Sequence, residues 1–423
     1  MEVKVEKLVY GGKGIGKLND KTCFVPYVLP GEIVKVRIKK EKKSFIECSL
    51  EEILQKSPER IEPICKYFTY CGGCDYQHIP YEKQLKIKED IFTETLERIG
   101  KINHPKIEKF IPSENPFFYR NRTQIKIKGE KVGFFKKESK EVINIDNCYL
   151  LKEDLNKALQ GIKEILPYLT FQPIEVHLYS SNLDEMLVKF IYPKRIKRFP
   201  LGLKHLKSFL SPNIKGVGIY KSNSQGFPER LFTIGNIYAF EKVEDLTYRV
   251  SIDSFFQVNR FQIKNLIREI EEEFKDSNHK KVIDFYSGVG TLSLPVAKYV
   301  ETVVGIESNP FAVQDANHNR KLNHLKNAKF FHMESQKGIK FLEELKPDAV
   351  IFDPPRTGLS GKIIQKINEG SYIKKIIYVS CNPSTLARDL NLLTKGGFSI
   401  KSIKLIDMFP QTYHIESITI LER

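Results

Sequence analysis

The sequence predicts a multidomain α/β protein with three consecutive parts: a small β-barrel at residues 1–55, a central α/β domain at 56–250, and a C-terminal domain at 251–423 built on a parallel sheet. Three observations predict this division. Short alternating strands fill the first part, a group of cysteines marks the second, and the third repeats a strand, a polar loop and a helix. Hydrophobic residues make up 41% of the chain, which is enough for several packed cores.

The N-terminal part shows the period-two alternation of β-strands. The alternating runs occupy residues 3–10, 22–29, 32–40 and 44–50. They are separated by Gly11 to Gly16, by Pro30-Gly31 and by the lysine-rich turn Lys39 to Lys43. Gly11 to Lys17 also matches G-x4-G-K, but Leu18 stands where a phosphate-binding loop needs a hydroxyl. We therefore interpret these glycines as a bend between barrel strands.

The central part begins with a tight group of cysteines. Cys65, Cys71 and Cys74 give the spacing C-x5-C-x2-C, and Cys148 supplies a fourth thiol. A typical structural zinc site shows two C-x2-C pairs, whereas one is present here, so the spacing favours an iron–sulfur cluster. Zinc stays open because thiolates bind both metals. Cys23 and Cys48 alternate within barrel strands and are expected to be packing residues, so disulfides are not expected.

Basic and aromatic residues are interleaved through the central part. Residues 117–150 alternate basic with apolar side chains, and Leu187 to Leu210 contains seven Lys or Arg residues without an Asp or Glu. Each run alone is also typical of a solvated face. The formal net charge of +16 supports the stronger interpretation, a surface that binds phosphates and stacks bases. RNA is therefore the expected partner.

The C-terminal part carries a Rossmann-like nucleotide-binding pattern. An apolar strand from Lys281 leads into Gly288-Val289-Gly290, and the next strand ends in Glu307, which follows Gly288 at about the 20-residue spacing that places an acid on ribose hydroxyls. The spacing suits a dinucleotide or S-adenosylmethionine. Asp284 favours the second ligand, because a further carboxylate repels a pyrophosphate but can receive a sulfonium ligand with an amino group.

Three further residues are candidates for the chemistry. Cys381 lies where the strand Lys375 to Ser380 gives way to a helix, which is a position for a nucleophile. Asp353 is fixed by two following prolines at the end of another strand. Glu416 precedes the last strand and is the best placed base. A pyrimidine C5 atom is a poor nucleophile until a group adds to C6, so this set favours C5 chemistry over methylation of an exocyclic amine.

Five strings in this order resemble the RNA (uracil-5-)-methyltransferase family. The strings are FFQVN (255–259), DFYSGVGTLSL (284–294), IFDPPR (351–356), SCNPSTLARDL (380–390) and FPQTYHIE (409–416). The resemblance implies a class I methyltransferase domain in which Cys381 adds to uracil C6 and Glu416 removes the C5 proton. It also implies S-adenosylmethionine contacts from Gln257, Tyr286, Glu307 and Asp353, with Glu334 as a further contact after the third strand.

The N-terminal half narrows the resemblance. Residues 1–55 look like a TRAM domain, an OB-type RNA-binding barrel, and the cysteine string resembles members that carry a 4Fe–4S cluster. This layout implies a 23S rRNA uridine-C5 methyltransferase. A tRNA T-loop uridine enzyme is the alternative, and a non-catalytic RNA-binding or folding factor would leave Cys381 and Glu416 without a role. Pro355-Arg356 stands where cytosine-5 enzymes place a second cysteine, which favours uracil.

The remaining expectations concern location and assembly. No stretch is long and apolar enough for a transmembrane helix, and the N-terminus lacks an apolar signal core. We expect a cytoplasmic monomer without a membrane partner. The helical pattern at Tyr81 to Ile99 is amphipathic and is expected to pack on the catalytic domain.

Overall fold

A computed structural model describes residues 1–193, 196–223 and 228–423. Lys194 and Arg195, two members of the predicted basic stretch, lie outside the described residues. The described residues form three large sheets and one two-stranded ribbon, which confirms the predicted multidomain α/β class. In the described part of the chain, no helix combines the length and the apolar character needed to cross a bilayer.

The first sheet has the strand order β1-β5-β6-β4-β3-β2. Its strands are β1 (Glu2–Lys4), β2 (Lys7–Val9), β3 (Lys13–Leu18), β4 (Lys21–Pro26), β5 (Ile33–Glu41) and β6 (Phe45–Gln55). Inward residues of these strands alternate with exposed ones and form a separate small core that includes Val25, Val36 and Ile46. The alternation in the sequence therefore places one face of each strand inside.

The predicted glycine bend is only partly right. Gly11 and Gly12 form the turn between β2 and β3 with φ angles of 101° and 76°. Gly14 and Gly16 lie inside β3, where they allow close packing. A Cβ atom on Gly16 would lie 2.3 Å from the carbonyl oxygen of Lys4, so these two glycines let β1 cross β3 and curl the sheet.

The second sheet is the central seven-stranded sheet, ordered β10-β9-β8-β11-β12-β13-β14. It contains β8 (Arg122–Lys128), β9 (Lys131–Phe135), β10 (Val142–Asn144), β11 (Glu175–Ser180), β12 (Met186–Tyr192), β13 (Ile214–Lys221) and β14 (Glu229–Gly235). Helices α2 (Glu153–Ile165) and α3 (Leu203–Phe209) pack on it, and β15 (Tyr238–Val243) pairs with β16 (Leu246–Ser251) as the ribbon that leads to the third sheet.

The third sheet has eight strands in the order β19-β18-β17-β20-β21-β23-β22-β7. Its strands are β7 (Lys109–Ile111), β17 (Lys281–Phe285), β18 (Thr302–Glu307), β19 (Ala328–His332), β20 (Ala349–Phe352), β21 (Lys375–Ser380), β22 (Ser399–Ile406) and β23 (Glu416–Glu422). The helices that accompany it are α4 (Ile263–Lys275), α5 (Ser293–Val296), α6 (Pro310–Leu322), α7 (Ser335–Gly338), α8 (Lys340–Leu345), α9 (Gly361–Glu369) and α10 (Pro383–Lys395).

Strands β17 to β21 run parallel, and the chain crosses over at β17, between β18 and β20. Ligands bind in open sheets of this kind outside the carboxyl ends of the strands near such a crossover. Helix α1 (Tyr81–Arg98) buries Ile87, Ile91, Phe92 and Leu96 in the same apolar cluster as residues of β17 and β20. The helix from the central part therefore covers one face of the C-terminal sheet.

Candidate active site

The predicted site residues collect at one edge of the third sheet. Tyr286 follows β17, Glu307 ends β18, Asp353 follows β20 and Cys381 follows β21. These four strands are parallel, so their carboxyl ends lie side by side. Strand β23 pairs antiparallel with β21, so its first residue, Glu416, lies at this same edge. One edge of one sheet therefore gathers residues that are widely separated in the sequence.

Cys381 and Glu416 face each other across two paired strands. The register of β21 and β23 pairs Ser380 with Ser417. Cys381, which follows Ser380, therefore lies opposite Glu416, which precedes Ser417. Helix α10 starts at Pro383, and Asn382 caps it by accepting a hydrogen bond from the amide of Ser384 at 3.1 Å. The predicted strand-to-helix position of Cys381 is thus present, with the helix beginning two residues earlier than Thr385, the residue where the sequence suggested it would open.

The electrostatics of this pair depend on burial and on neighbouring carboxylates. Burial, then Glu416, then Asp353 raise the pKa of the Cys381 thiol to about 12, while Arg356 acts in the opposite direction. Burial and the charge of Asp353 hold the pKa of Glu416 well above its ordinary value. Burial and the charge of Glu307 likewise raise the pKa of Asp353. A cation placed between these acids would offset the repulsion that raises all three pKa values.

Glu307 ends β18, and its carboxylate lies beside the glycine loop 286–290. Its carboxylate accepts a hydrogen bond from the amide of Gly288 at 3.0 Å and from the amide of Asn309 at 2.7 Å. Tyr286 has a φ of 68°, and Gly288 and Gly290 also have positive φ angles. This left-handed backbone is costly for a residue with a Cβ, and such positions cluster at ligand sites. The loop therefore leaves backbone and carboxylate groups open to a ligand.

Asp284 has a buried acceptor atom that suits a ligand contact. Its carboxyl group is buried, and one oxygen accepts a hydrogen bond from the hydroxyl of Ser293. Within the described residues, the other oxygen, Oδ1, has no hydrogen-bond partner. Burial is the main cause that raises the pKa of Asp284 to about 8. A buried acceptor without a partner costs free energy unless a ligand completes it, and a cationic amino group would do so.

Gln257 and Glu334, the two remaining predicted cofactor contacts, lie at different distances from the cluster of acids. The side-chain amide of Gln257 donates to Oδ2 of Asp353 at 3.5 Å. The side-chain amide of Asn121 donates to the backbone carbonyl oxygen of Gln257 at 3.0 Å. Glu334 precedes α7, after β19, and the hydroxyl of its neighbour Ser335 lies 3.0 Å from the Tyr286 hydroxyl. Gln257 therefore touches the cluster of acids, whereas Glu334 reaches the site's outer rim.

A large cavity lies beside the site, between the central sheet and the loop 251–258. Its volume is about 590 Å³, and its walls include Arg122, His177, Lys189 and Phe255. The Phe255 side chain is 55% exposed and its ring lies 5.4 Å from the guanidinium of Arg122. An open aromatic ring beside a guanidinium can stack a base, so this cavity has the chemistry of the expected RNA-binding surface.

The four predicted metal-binding cysteines meet in space. Cys65, Cys71, Cys74 and Cys148 line one cavity of about 90 Å³ whose walls are otherwise mainly apolar. The Gln77 side chain donates to the Cys74 sulfur at 3.2 Å. Among the residues that the structure describes, no group of three or more His, Cys, Asp or Glu side chains is arranged to hold a metal ion. The four thiols therefore share one cavity, and their role as metal ligands stays a prediction.

Two residues beside Cys381 were given no role at the site by the sequence analysis. Arg356 donates to Nε2 of His414 at 3.2 Å, and its charge partly opposes the rise in the pKa values of Cys381 and Glu416. Tyr10 reaches across from the barrel, and its hydroxyl donates to the carbonyl oxygen of Cys381 at 3.4 Å. The sequence contained a hint of the position of Arg356, because this residue completes the DPPR turn. Tyr10 had none, because it is almost the whole chain away from its partner.

Comparisons with known proteins show which family this chain matches. Residues 80–423 match the family described as tRNA (uracil-5-)-methyltransferase, and residues 1–48 match the TRAM domain. An uncharacterised RNA methyltransferase of Aquifex aeolicus is 39% identical over 423 residues, which cover all of this chain and 98% of the relative. A second, from Caldanaerobacter subterraneus, is 35% identical over all of this chain and 98% of its own length.

One solved structure is similar over its full length. It is the Pyrococcus abyssi tRNA (uracil-54, C5)-methyltransferase in complex with S-adenosyl-L-homocysteine, with a TM-score of 0.79 and 26% identity, covering 100% of each chain. The match extends through the barrel, the central sheet and the C-terminal sheet. The chain is therefore a member of the tRNA (uracil-5-)-methyltransferase family with an N-terminal TRAM domain.

Proposed function

We propose that this protein transfers a methyl group from S-adenosylmethionine to C5 of a uridine in RNA, with 23S rRNA as the substrate. The observation that carries the chemistry is the pairing of Cys381 with Glu416 at the carboxyl edge of the sheet, beside the buried acid Asp353. A thiol that adds to C6 and a base that takes the C5 proton are the two groups this substitution needs.

In this proposal, the acidic residues of the site bind the methyl donor. The unpartnered oxygen of Asp284 fits the amino group of the donor, and Glu307 fits its ribose hydroxyls. Asp353 and Gln257 lie between these residues and Cys381 and orient donor and base. Tyr286 and Glu334 form the outer wall. When bound, S-adenosylmethionine supplies an electrophilic methyl group, and its positive charge offsets the carboxylates that raise the pKa of Cys381.

The residues of the chain then act in order. The target uridine leaves its stack so that both faces of its ring can be reached. The Cys381 thiolate forms a bond to C6, which turns C5 into a nucleophile. After C5 has received the methyl group, Glu416 removes the C5 proton. The electron pair of that C–H bond restores the C5–C6 double bond, and the C6–S bond breaks to release the thiolate.

The cysteine cavity is proposed to hold a 4Fe–4S cluster. Four cysteines line one cavity, and four thiolates are the donor set of such a centre. Iron content distinguishes it from zinc: anaerobically purified protein is expected to be brown with about four irons per chain, and Cys74→Ser should bleach it. A colourless protein with one zinc per chain would contradict this assignment.

A specific observation favours tRNA as a second candidate substrate. The solved relative that matches over its full length is described as a tRNA enzyme, whereas the 23S rRNA proposal depends on the TRAM domain joined to four cysteines. Mapping 5-methyluridine in rRNA and tRNA of a deletion strain separates the two. Loss of the modification from tRNA alone would replace rRNA by tRNA.

Two substitutions test the chemistry. Cys381→Ala should bind RNA and form no covalent adduct, because the first bond cannot form. Glu416→Gln should transfer the methyl group and remain attached to RNA, giving a band that survives denaturing electrophoresis. Glu422→Gln, at the opposite end of β23, is the matched control and should behave as the wild type. Normal turnover by Glu416→Gln, or methylation by Cys381→Ala, would overturn the covalent mechanism.

A further inference from the structure

Gln411 occupies an unusual position in the loop that leads from β22 to Glu416. Its φ is 66°, a left-handed conformation that side chains with a Cβ rarely adopt, and only 3% of the residue is exposed. Such a conformation persists only where the surroundings hold it in place. The groups that hold Gln411 therefore also set the path of the loop.

Four hydrogen bonds hold Gln411, and all of them come from outside the C-terminal domain. Its carbonyl oxygen accepts from the amide of Asp75 at 2.9 Å and from the amide of Tyr76 at 3.0 Å. Its backbone amide donates to the side-chain oxygen of Gln84 at 3.0 Å, and its side-chain oxygen accepts from the side-chain amide nitrogen of Gln84 at 3.0 Å. Gln84 is completely buried on helix α1.

These contacts connect the cysteine cavity to the candidate active site. Asp75 directly follows Cys74, a cysteine of the cavity wall. Its carboxylate also reaches the amide of Tyr413 at 3.5 Å, further along the same loop. On the other side, the loop continues through His414 into Glu416 and β23. One peptide segment thus links a cavity residue to the loop that carries the proposed base.

We propose that Gln411 is a positioning residue that couples the folded state of the segment Cys74–Tyr76 to the placement of Glu416. The proposal rests on the function assigned above, in which Glu416 takes the C5 proton. When the cysteine segment loses its ordered path, the amides of Asp75 and Tyr76 leave the Gln411 carbonyl. The loop 407–416 then opens locally, and the last step of the reaction slows before the rest of the fold is lost.

Hydrogen exchange measured by mass spectrometry on the full-length protein tests the coupling. Cys74→Ser perturbs the cysteine segment, and Gln84→Leu removes the two side-chain bonds from helix α1 without touching the cysteines. Amides of residues 407–416 should exchange at least about ten-fold faster in both variants, while those of β21 stay within about two-fold of the wild type. Gln365→Leu, an exposed Gln→Leu change on α9, is the control and should change neither region.

A second readout separates positioning from general destabilisation. With substrate RNA, Gln84→Leu should accumulate the methylated covalent adduct, as Glu416→Gln does, because the misplaced base fails at proton removal. Unchanged exchange of 407–416 in Cys74→Ser would overturn the coupling, as would an equal loss of protection throughout the chain in both variants. If the wild type forms no 5-methyluridine while the exchange pattern is as expected, the proposed function fails and the coupling stands.

Discussion

The buried ion pair between Lys88 and Asp407 gives a sharp prediction of stability. The Lys88 ammonium lies on helix α1 with its side chain completely buried, 2.6 Å from the Asp407 carboxylate, and it also donates to the carbonyl oxygen of Phe409 at 3.0 Å. Lys88→Met keeps the length of the side chain and removes the charge. The carboxylate of Asp407 is then left buried without its cation, which costs about 3–5 kcal/mol.

Chemical denaturation followed by far-ultraviolet circular dichroism measures this loss. Lys86→Met on the same helix is the matched control: that lysine side chain is 59% exposed and pairs with Asp90, so its replacement should cost less than about 1 kcal/mol. The double variant Lys88→Met with Asp407→Leu removes both charges and should regain most of the lost free energy of unfolding. A loss in Lys88→Met no larger than that in Lys86→Met would refute the reasoning.

Three further predictions concern ligand binding, acid stability and RNA. Because burial raises the pKa of Asp284 to about 8, binding a cationic donor must expel a proton below that pH. Affinity for S-adenosylmethionine by calorimetry should then rise up to about ten-fold per unit from pH 6 to 8, and Asp284→Asn should flatten this dependence. Burial lowers the pKa of His78 to about 4, so folding is favoured by a neutral His78; this part of the free energy of unfolding is fully present above pH 6.5 and is lost as the pH falls toward 4. In unfolding experiments across this pH range, the free energy of unfolding of His78→Leu should therefore fall by about 3 kcal/mol less than that of the wild type. Charge reversal of the exposed residues Lys197 and Arg198 should lower the affinity for all RNAs similarly and reduce the salt dependence of binding. An unchanged salt dependence would mean that RNA binds to another surface.

Local patterns in the sequence were sufficient to predict the positions of the residues at the strand ends. A parallel sheet brings the carboxyl ends of its strands to one edge, so Tyr286, Glu307, Asp353 and Cys381 could be placed together once their strands were recognised. Glu416 was harder, because its position depends on β23 running antiparallel to β21. The string around it supplied that information through family resemblance. The periodicity of the strand alone would not have placed it beside a cysteine.

Two buried polar contacts of helix α1 were not predicted from the sequence, and they share a physical property. Lys88 and Gln84 lie on the buried side of an amphipathic helix, where a lysine and a glutamine weaken the apolar pattern. Their partners Asp407 and Gln411 are more than three hundred residues away along the chain. A buried polar group needs a partner, but the sequence does not say which one. Gly14 and Gly16 were misinterpreted for the same reason, since the close approach of β1 is a tertiary contact.

The C-terminal sheet depends on elements supplied from the first hundred or so residues. Strand β7 adds to the edge of this sheet beside β22, and helix α1 covers its apolar face. Tyr10 of the barrel touches Cys381, and the turn at Gly12 packs against Tyr413 so closely that an added Cβ would lie 3.3 Å from the Tyr413 side chain. The candidate active site is therefore completed by contacts from the barrel, the cysteine segment and helix α1. The path of the loop that carries the proposed base therefore depends on hydrogen bonds from segments far away in the sequence, which the C-terminal sheet alone does not supply.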